Sequence, residues 1–520
     1  MRVLITGANS MLGVALTGAL SRSHDVETVD VERPSRSRGP SHVGDLRERE
    51  FAAQVAGACD AVIHLPLVAM PSSLPLDILD VATRATYNLM TTASKATRFI
   101  LISTLRHFER YPMAWRVTER WAPRPTTAVE DLAPYLAELT VREAARVLPL
   151  KAIALRLGEI VDEADPGEAP DPRWVHIEDA VHAVELALAF ESEASVPQTG
   201  WWVFHIPGGG RQTRFPLGEA GQSAFGYTPR HDLATGAAAP LHVVEQPTQR
   251  FSSVGGAARR VVIYGAGGPL AAVTSEALAT DHILRLTDAR PLADIVAENR
   301  PRSPGAPLPR LLGAPHEMQV VDITDPDEVM EAARSMDALI NCTAMRTHPV
   351  QAFRVNTLGT YNVMRAAVTC GVRRVVHTGP TQVFLPGPAG YQYDFDLSAD
   401  LPRRPGTDLY FISKFLGQEV CRIFAEEHDL EVPCLLFGTF LDPSGTPYEP
   451  HGAYPLAISW ADAAEAMRLA LHAPSYPRPF EILHIGTDLP HGKYLNEKAK
   501  RLLNWQPSDR LERHWQRQLS

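Results

Sequence analysis

Tyr410 and Lys414 are residues whose types and spacing could do chemistry. Residues four positions apart lie on one face of a helix, so these two side chains would be neighbours. A tyrosine has an ordinary pKa of about 10, and a nearby ammonium group favours the phenolate. Tyr410 could then exchange a proton with a substrate hydroxyl near neutral pH. Taken alone, such a pair would favour an ordinary amphipathic helix, so its meaning depends on the surrounding pattern.

A glycine-rich stretch at the start of the chain recurs in the second half. Residues 2–13 read RVLITGANSMLG, and residues 260–271 read RVVIYGAGGPLA. In each copy an apolar run predicts a buried parallel strand, and the small residues after it predict a tight turn that opens a helix. Such a turn can hold a pyrophosphate against the helix N-terminus. The repeat therefore predicts two nucleotide-binding domains.

The glycines of these turns are candidate cofactor contacts. Gly7 and Gly265 would permit the turn itself. Gly268 would let the backbone approach a phosphate, and Gly13 would let the helix pack on the strand. Each copy departs from the full glycine pattern at one position: Ser10 in the first and Ala271 in the second.

An acidic residue ends the second predicted strand of each copy. Asp30 and Asp288 both stand 23 positions beyond the first glycine of their turns. A carboxylate there can bind the ribose hydroxyls of the adenosine and repels a 2′-phosphate, which favours NAD over NADP. Basic residues that follow these carboxylates keep NADP open as the less favoured cofactor: Arg33, Arg36, Arg38 and Arg290.

Polar residues at the ends of the next strands extend the predicted cofactor site. Asp45 and Asp322 each end a third strand, where a carboxylate could meet the adenine amino group or could serve as a surface cap. Asn341 ends the strand 338–342, whose following loop would pass under the nicotinamide. His64 ends the corresponding strand of the first copy and is interpreted as a core or cofactor-edge residue.

Taken together, these pieces resemble the extended short-chain dehydrogenase/reductase family, the NAD-dependent epimerase/dehydratase group. The second half matches more closely, through Tyr410-x-x-Ser-Lys414, Asn356-x-x-Gly-Thr-x-Asn362 and the ending LLNWQP at 502–507. Within the family it is similar to the uronate dehydrogenase branch. The resemblance implies two doubly wound parallel sheets of Rossmann type, each with a small C-terminal substrate lobe. It also implies bound NAD, with Lys414 on the cofactor ribose.

Both halves depart from the family pattern near the tyrosine. The family places a Ser or Thr beside it, but Pro380 stands there in the second half, where Thr381 or Thr378 could substitute. We assign Tyr410, Lys414 and Thr381 as the catalytic residues. In the first half Tyr135 is matched to Tyr410 and Leu139 replaces the lysine, which predicts a degenerate, non-catalytic copy.

Composition limits the class of protein. The chain has 520 residues, a formal net charge of -10 and five widely spaced cysteines. This balance gives no support to a nucleic-acid or membrane partner. Separated cysteines are typical of reduced thiols in the cytoplasm, and their spacing predicts no metal site.

The sequence therefore predicts three segments. Residues 1–245 form the degenerate domain, 246–258 the linker, and 259–520 the domain with the tyrosine and lysine. We expect the halves to pair internally as a pseudo-dimer, with further oligomerisation open. The predicted function is an NAD(H)-dependent oxidoreductase or epimerase acting on a hydroxyl or ketone of a sugar-like small molecule, such as a sugar or sugar acid. The alternative is a non-catalytic dinucleotide-binding sensor or scaffold.

Overall fold

The computed structural model describes most of the chain as two compact units, Met1–Gln246 and Pro247–Ser520. The described residues are 1–34, 39–66, 74–93, 95–162, 173–191, 200–209, 214–223, 225–233, 260–302, 305–384, 395–445, 456–490 and 492–515. The predicted linker 246–258 and two of the arginines that keep NADP open, Arg36 and Arg38, lie outside them.

The first unit alternates strands and helices. Its strands are β1 (Arg2–Thr6), β2 (Asp25–Asp30), β3 (Ser41–Val43), β4 (Ala61–His64), β5 (Arg98–Thr104), β6 (Lys151–Leu157), β7 (Glu159–Val161), β8 (Trp174–His176) and β9 (Trp201–Ile206). Its α-helices are α1 (Met11–Leu20), α2 (Arg49–Ala56), α3 (Pro75–Asp80), α4 (Thr86–Thr92), α5 (Val129–Ala145), α6 (Ile177–Ala189) and α7 (Glu219–Gln222). A π-helical turn spans Val81–Ala85 and a 3₁₀ turn spans Leu105–Phe108.

The second unit repeats this order. Its strands are β10 (Arg260–Tyr264), β11 (Ile283–Asp288), β12 (Glu317–Val320), β13 (Ala338–Asn341), β14 (Arg374–Pro380), β15 (Val432–Phe437), β16 (Thr439–Leu441), β17 (Ala457–Ser459) and β18 (Phe480–Ile485). Its α-helices are α8 (Pro269–Leu278), α9 (Leu292–Glu298), α10 (Pro326–Ala333), α11 (Pro349–Phe353), α12 (Gly359–Cys370), α13 (Leu409–His428), α14 (Trp460–His472), α15 (Glu497–Leu503) and α16 (Glu512–Trp515). A π-helical turn spans Arg354–Leu358 and a 3₁₀ turn spans Thr381–Phe384.

The two large sheets share one topology. The first has the order β3-β2-β1-β4-β5-β6-β9, and the second has the order β12-β11-β10-β13-β14-β15-β18. Neighbouring strands within both sheets are parallel, as in the pairs Val3↔Val26 and Val261↔Leu284. The strand order changes direction between β1 and β4 in the first sheet, and between β10 and β13 in the second. A ligand crevice forms at the carboxyl edge of such a switch point. The prediction of two doubly wound parallel sheets is confirmed.

Each unit has its own apolar core between sheet and helices. In the first unit Ile5 and Ile63 of the sheet share a cluster with Leu16 of α1 and Val184 of α6. The equivalent cluster of the second unit includes Trp505, which is fully buried and donates its indole N–H to the carbonyl of Asp462. Burying a large apolar side chain contributes roughly 1.5–3 kcal/mol, so these strands form because both of their faces are covered.

Two further expectations concern the whole chain. None of the five cysteines forms a disulfide, and three of them are buried. Among the described residues, every helix is too short or too polar to cross a bilayer.

Candidate active site

The glycine turn of the second unit leaves room for a ligand at the start of α8. Gly265 has a φ of +82°, and a Cβ there would lie 3.0 Å from the backbone nitrogen of Thr343. Gly268 occupies the N-cap position, and no side chain of the described residues caps α8. The first N–H groups of a helix have no partner within the helix, so this end suits an anion.

The corresponding turn of the first unit is filled by a side chain. Ser10 donates its hydroxyl to the carbonyl oxygen of Gly7 at 2.8 Å and accepts the N–H of Gly13 at 3.0 Å. A Cβ at Gly13 would lie 2.4 Å from that same carbonyl oxygen, so this glycine is required for helix packing. Ser10 thus caps α1 through an N–H that a phosphate would otherwise use.

The two acidic residues lie at the glycine turns in the same way. Asp30 Oδ2 accepts the N–H of Asn9 at 2.8 Å, and Asp288 Oδ2 accepts the N–H of Gly267 at 3.0 Å. Beside Asp288 lies a cavity of about 260 Å³, lined in part by Arg290, Pro301 and Pro307. Arg290 forms an ion pair with Glu298, which partly neutralises its charge.

The third-strand carboxylates have different surroundings. Asp322 is exposed and accepts only a local bond, from the N–H of Thr324 at 2.9 Å. Asp45 lies 2.8 Å from a guanidinium nitrogen of Arg47, which also pairs with Asp77 at 2.7 Å. Although burial opposes it, hydrogen bonding from Arg47 lowers the pKa of Asp45. Asp45 is therefore accounted for by an ion-pair network within the first unit.

Tyr410 lies in the first turn of α13, where the sequence placed it. Asp408 caps this helix by accepting the N–H groups of Tyr410 and Phe411, each at 3.0 Å. Burial raises the pKa of Tyr410, and the positive charge of Arg346 opposes that rise. The guanidinium carbon of Arg346 lies 5.3 Å from the centre of the tyrosine ring. Sequence reasoning missed Arg346, whose only signal is its place in the loop after β13.

Lys414 is buried one helical turn further along. Its Nζ donates to the carbonyl oxygens of Thr343 at 2.7 Å and Thr378 at 3.1 Å. Burial lowers the pKa of Lys414 to about 8. An ammonium has three N–H donors, so these two bonds leave one for another acceptor. Arg346 is the positively charged residue that lowers the pKa of Tyr410. The sequence had assigned this effect to Lys414.

Two asparagines hold the loop that carries Thr343 and Arg346. Asn341 accepts both the N–H of Thr343 at 3.1 Å and its hydroxyl at 2.7 Å. Asn356 accepts the N–H of Met345 at 3.0 Å and donates to the carbonyl of Met345 at 2.7 Å. Its amide also donates to Ser413 of α13 at 2.9 Å. The Asn356 motif therefore joins this loop to the helix that carries the tyrosine.

The hydroxyls near Pro380 are not equivalent. Thr378 donates its hydroxyl to the carbonyl of Asn341 at 2.9 Å, so it is already engaged in holding two strands together. Thr381 is buried at the start of the 3₁₀ turn on which α13 packs, and its hydroxyl lies 3.5 Å from the Gln382 amide oxygen. A bond of that length is weak. Thr381 is therefore the hydroxyl that could turn to another acceptor.

The structure corrects the match between Tyr135 and Tyr410. Tyr410 lies in the first turn of α13, whereas Tyr135 lies more than one turn further along α5. Contacts to the sheet set the register: Glu138 bonds to Ser103 of β5, and Gln418 lies against Gly379 at the equivalent place on β14. By this register, Glu130 of the first unit stands at the position of Tyr410, and Pro134 stands at the position of Lys414.

A buried ionic cluster lies between α5 and the sheet of the first unit. Arg156 of β6 forms two parallel bonds to Glu138, at 2.9 Å and 2.7 Å. His107 lies 3.3 Å from the same carboxylate, and His205 lies 3.4 Å from Arg156. The charge of Arg156 outweighs burial and holds the pKa of Glu138 far below its ordinary value. In the second unit Leu436 stands at the position of Arg156. Arg156 pairs with Ser103 of β5, and Leu436 pairs with Gly379, the equivalent residue of β14.

His64 is a core residue of the first unit. Its ring nitrogens lie 2.7 Å from the Thr6 hydroxyl and 2.9 Å from the Thr86 hydroxyl. Burial lowers its pKa to about 3, so the ring is neutral at ordinary pH.

Two parallel sheets with glycine turns at their switch points define a dinucleotide-binding class of protein. Comparison with known families gives the same class, because the NAD dependent epimerase/dehydratase family matches residues 3–161 and again residues 261–476. The chain belongs to this family, contains its domain twice and is an NAD-dependent enzyme.

Individual relatives each align with about half of the chain. L-arabinose 1-dehydrogenase (NAD(P)(+)) of Haloferax volcanii is 26% identical over 272 residues, which is 48% of this chain and 96% of that protein. NAD-dependent glucose-6-phosphate dehydrogenase of the same organism is 24% identical over 260 residues, 48% of this chain and 93% of that protein. Among solved structures, uronate dehydrogenase from Agrobacterium tumefaciens is 22% identical with a TM-score of 0.39, and covers 49% of this chain and 86% of that chain.

Proposed function

We propose that this protein is an NAD(H)-dependent oxidoreductase that acts on a hydroxyl or ketone carbon of a sugar-like small molecule, with the chemistry in the second unit. The observation that carries the proposal is the group formed by Tyr410, Arg346 and Lys414. A phenol lies under a guanidinium at 5.3 Å, one helical turn from a buried ammonium. The first unit has Glu130 and Pro134 at the equivalent helix positions, which supports a non-catalytic role for it.

Tyr410 is proposed as the acid/base. In the oxidation direction its phenolate would take the proton from a substrate hydroxyl, and in reduction its phenol would return that proton. Arg346 would stabilise the phenolate through its charge, and Thr381 would donate to the substrate oxygen. When bound, NAD+ supplies the acceptor for the hydride that leaves the substrate carbon.

The second unit has the features that NAD requires. The open start of α8 suits the pyrophosphate, and the Asp288 carboxylate beside the cavity suits a ribose. The remaining N–H of Lys414 is proposed to bind the second ribose. Asn341 acts by shaping the loop whose Thr343 carbonyl holds Lys414. Asp322 stays a candidate for the adenine, whereas Asp45 is engaged by Arg47.

We propose a neutral sugar or sugar phosphate as the substrate class, and net oxidation as the reaction. The two relatives from Haloferax volcanii are named as dehydrogenases of a pentose and of a hexose phosphate, which favours oxidation over epimerisation. Leu436 stands where the first unit has Arg156, so this strand offers no guanidinium for a sugar-acid carboxylate in the second unit. The internal pairing of the two units and a cytoplasmic location stay predictions.

The test is turnover by the full-length protein. We would follow NADH formation from NAD+ with L-arabinose, glucose 6-phosphate, galactose and glucuronate, and identify the product to separate oxidation from epimerisation. Tyr410→Phe removes the acid/base group, and general acid/base catalysis contributes typically ~10²–10⁴-fold. We expect Tyr410→Phe to lose activity by at least about 100-fold. Tyr135→Phe makes the same change on α5 of the first unit and should keep wild-type turnover. Loss of turnover in Tyr135→Phe but not in Tyr410→Phe would contradict the proposal.

A further inference from the structure

Two imidazoles and a carboxylate meet in the first unit. His176 is the last residue of β8, Glu178 lies in the first turn of α6, and His231 follows α7. The rings of His176 and His231 stack with their centres 3.7 Å apart, and Glu178 Oε2 lies 3.4 Å from His231 Nε2. One ligand atom from each of the three residues lies within 4.8 Å of the others.

The backbone that carries His231 is fixed by the protein itself. The buried carboxylate of Asp179 accepts the N–H of Arg230 at 2.8 Å and of His231 at 3.1 Å. The carbonyl of His231 accepts the N–H of Gly209 at 3.2 Å. The cluster is therefore held in place by hydrogen bonds that need no ion.

Carboxylates also surround the His231 ring. Its Nδ1 lies 3.3 Å from Asp179 Oδ1, on the side opposite to Glu178. A carboxylate on the side of the ring that faces away from the ion is the usual arrangement around metal-ligating histidines. His176 Nδ1 accepts the N–H of Glu178 at 3.2 Å, which fixes the His176 ring at the start of α6.

The second unit contains the same scaffold without the ligands. Asp462 accepts the N–H of Ser508 at 2.8 Å and of Asp509 at 3.0 Å, as Asp179 does in the first unit. By this correspondence, Ser459, Ala461 and Asp509 stand where the first unit has His176, Glu178 and His231. His176 caps α6 as Ser459 caps α14, so capping accounts for a polar residue at this position. Capping does not account for an imidazole there, nor for Glu178 and His231 beside it.

We propose that the first unit binds one divalent transition-metal ion through His176, Glu178 and His231, and that the ion is Zn²⁺. Two imidazoles and one carboxylate form a donor set that suits zinc, with a fourth position for water. Glu178 is exposed and both histidines are half-buried, so an ion can enter from solvent. The ion would tie the segment around His231 to the start of α6. The sequence predicted no metal site because His231 is remote from the other two ligands along the chain.

The experiment is a zinc titration of the chelator-treated full-length protein against a competing chromophoric chelator. We expect the wild type to bind one more equivalent than His231→Ala or Glu178→Gln. His182 lies one turn along α6, contacts Arg230 and is not among the ligands, so His182→Ala is the matched control and should keep this equivalent. Equal stoichiometry in the wild type and Glu178→Gln would overturn the proposal, as would equal loss in His182→Ala.

A second measurement guards against misfolding of a variant. Glu178 has an exposed side chain, so Glu178→Gln should keep the wild-type circular dichroism and melting temperature without metal. Added Zn²⁺ should raise the melting temperature of the wild type and leave that of Glu178→Gln unchanged, because only the folded wild type has the site. Co²⁺ in the wild type should give the visible bands of a tetrahedral complex. A zinc-induced shift of equal size in both proteins would contradict the assignment.

Discussion

Replacing Arg346 by glutamine should raise the pKa of Tyr410. The guanidinium carbon lies 5.3 Å from the centre of the phenol ring and opposes the effect of burial on this pKa. Over that distance two unit charges interact by about 0.8 kcal/mol in bulk water and about 3 kcal/mol at an effective dielectric near 20. Arg346 is exposed, so solvent screening selects the lower value. Since one pKa unit is about 1.4 kcal/mol, we expect a rise of roughly 0.5–1 unit.

The assay needs no substrate. The Cζ resonance of isotope-labelled tyrosine reports ionisation, and Tyr410→Phe identifies the signal of Tyr410. We would compare the pH at which this resonance shifts, within the range where circular dichroism shows a folded protein. Arg346→Lys keeps the charge and should stay near the wild type. High salt shortens the screening length to about 3 Å at 1 M and should shrink the difference.

Arg334 provides the matched control for charge removal. It is exposed, pairs with Glu331 and precedes β13, whereas Arg346 follows β13 at the carboxyl edge of the sheet. Arg334→Gln therefore removes the same charge at the opposite edge and should leave the titration of Tyr410 unchanged. An unchanged or lowered pKa in Arg346→Gln, or an equal shift in Arg334→Gln, would refute the reasoning.

Two further predictions concern the separate units. Gly265→Val should abolish NAD+ binding by calorimetry, because Gly265 has a φ of +82° and no room beside Thr343, whereas Gly7→Val should leave binding in the second unit intact. Arg156→Met should lower the free energy of unfolding of the first unit by about 3–5 kcal/mol in denaturant titrations, because it removes the guanidinium that neutralises the buried Glu138 carboxylate. The lowered pKa of Glu138 means that its contribution is present above its unfolded pKa of about 4.3 and is lost as the pH falls. The free energy of unfolding of Glu138→Gln should therefore fall less than that of the wild type when the pH is lowered. An equal fall in both proteins would contradict the assignment.

The sequence by itself determined the fold and the position of the two glycine turns. Apolar runs followed by glycine turns recur in both halves. Such patterns form a strand and a turn through residues that are adjacent in sequence, so they can be recognised without tertiary structure. The spacing from glycine to Asp30 or Asp288 spans one helix and one strand, and it predicted a ribose contact for each carboxylate. In the structure each carboxylate accepts an N–H of its own glycine turn. The position of Lys414 one helical turn after Tyr410 likewise follows from helical periodicity within one element.

Tertiary structure decided which groups meet at the active site. Arg346 reaches Tyr410 from a loop after another strand, and Lys414 turns to two backbone carbonyls. The register of α5 against its sheet replaced Tyr135 by Glu130 as the counterpart of Tyr410.

The histidine cluster of the first unit depended on tertiary structure in the same way. His176 and Glu178 are neighbours in sequence, but His231 joins them only because Asp179 binds its backbone. Spacing rules act over a few residues of one element. Contacts between segments far apart in the chain are fixed by how the elements pack, and no local pattern records them.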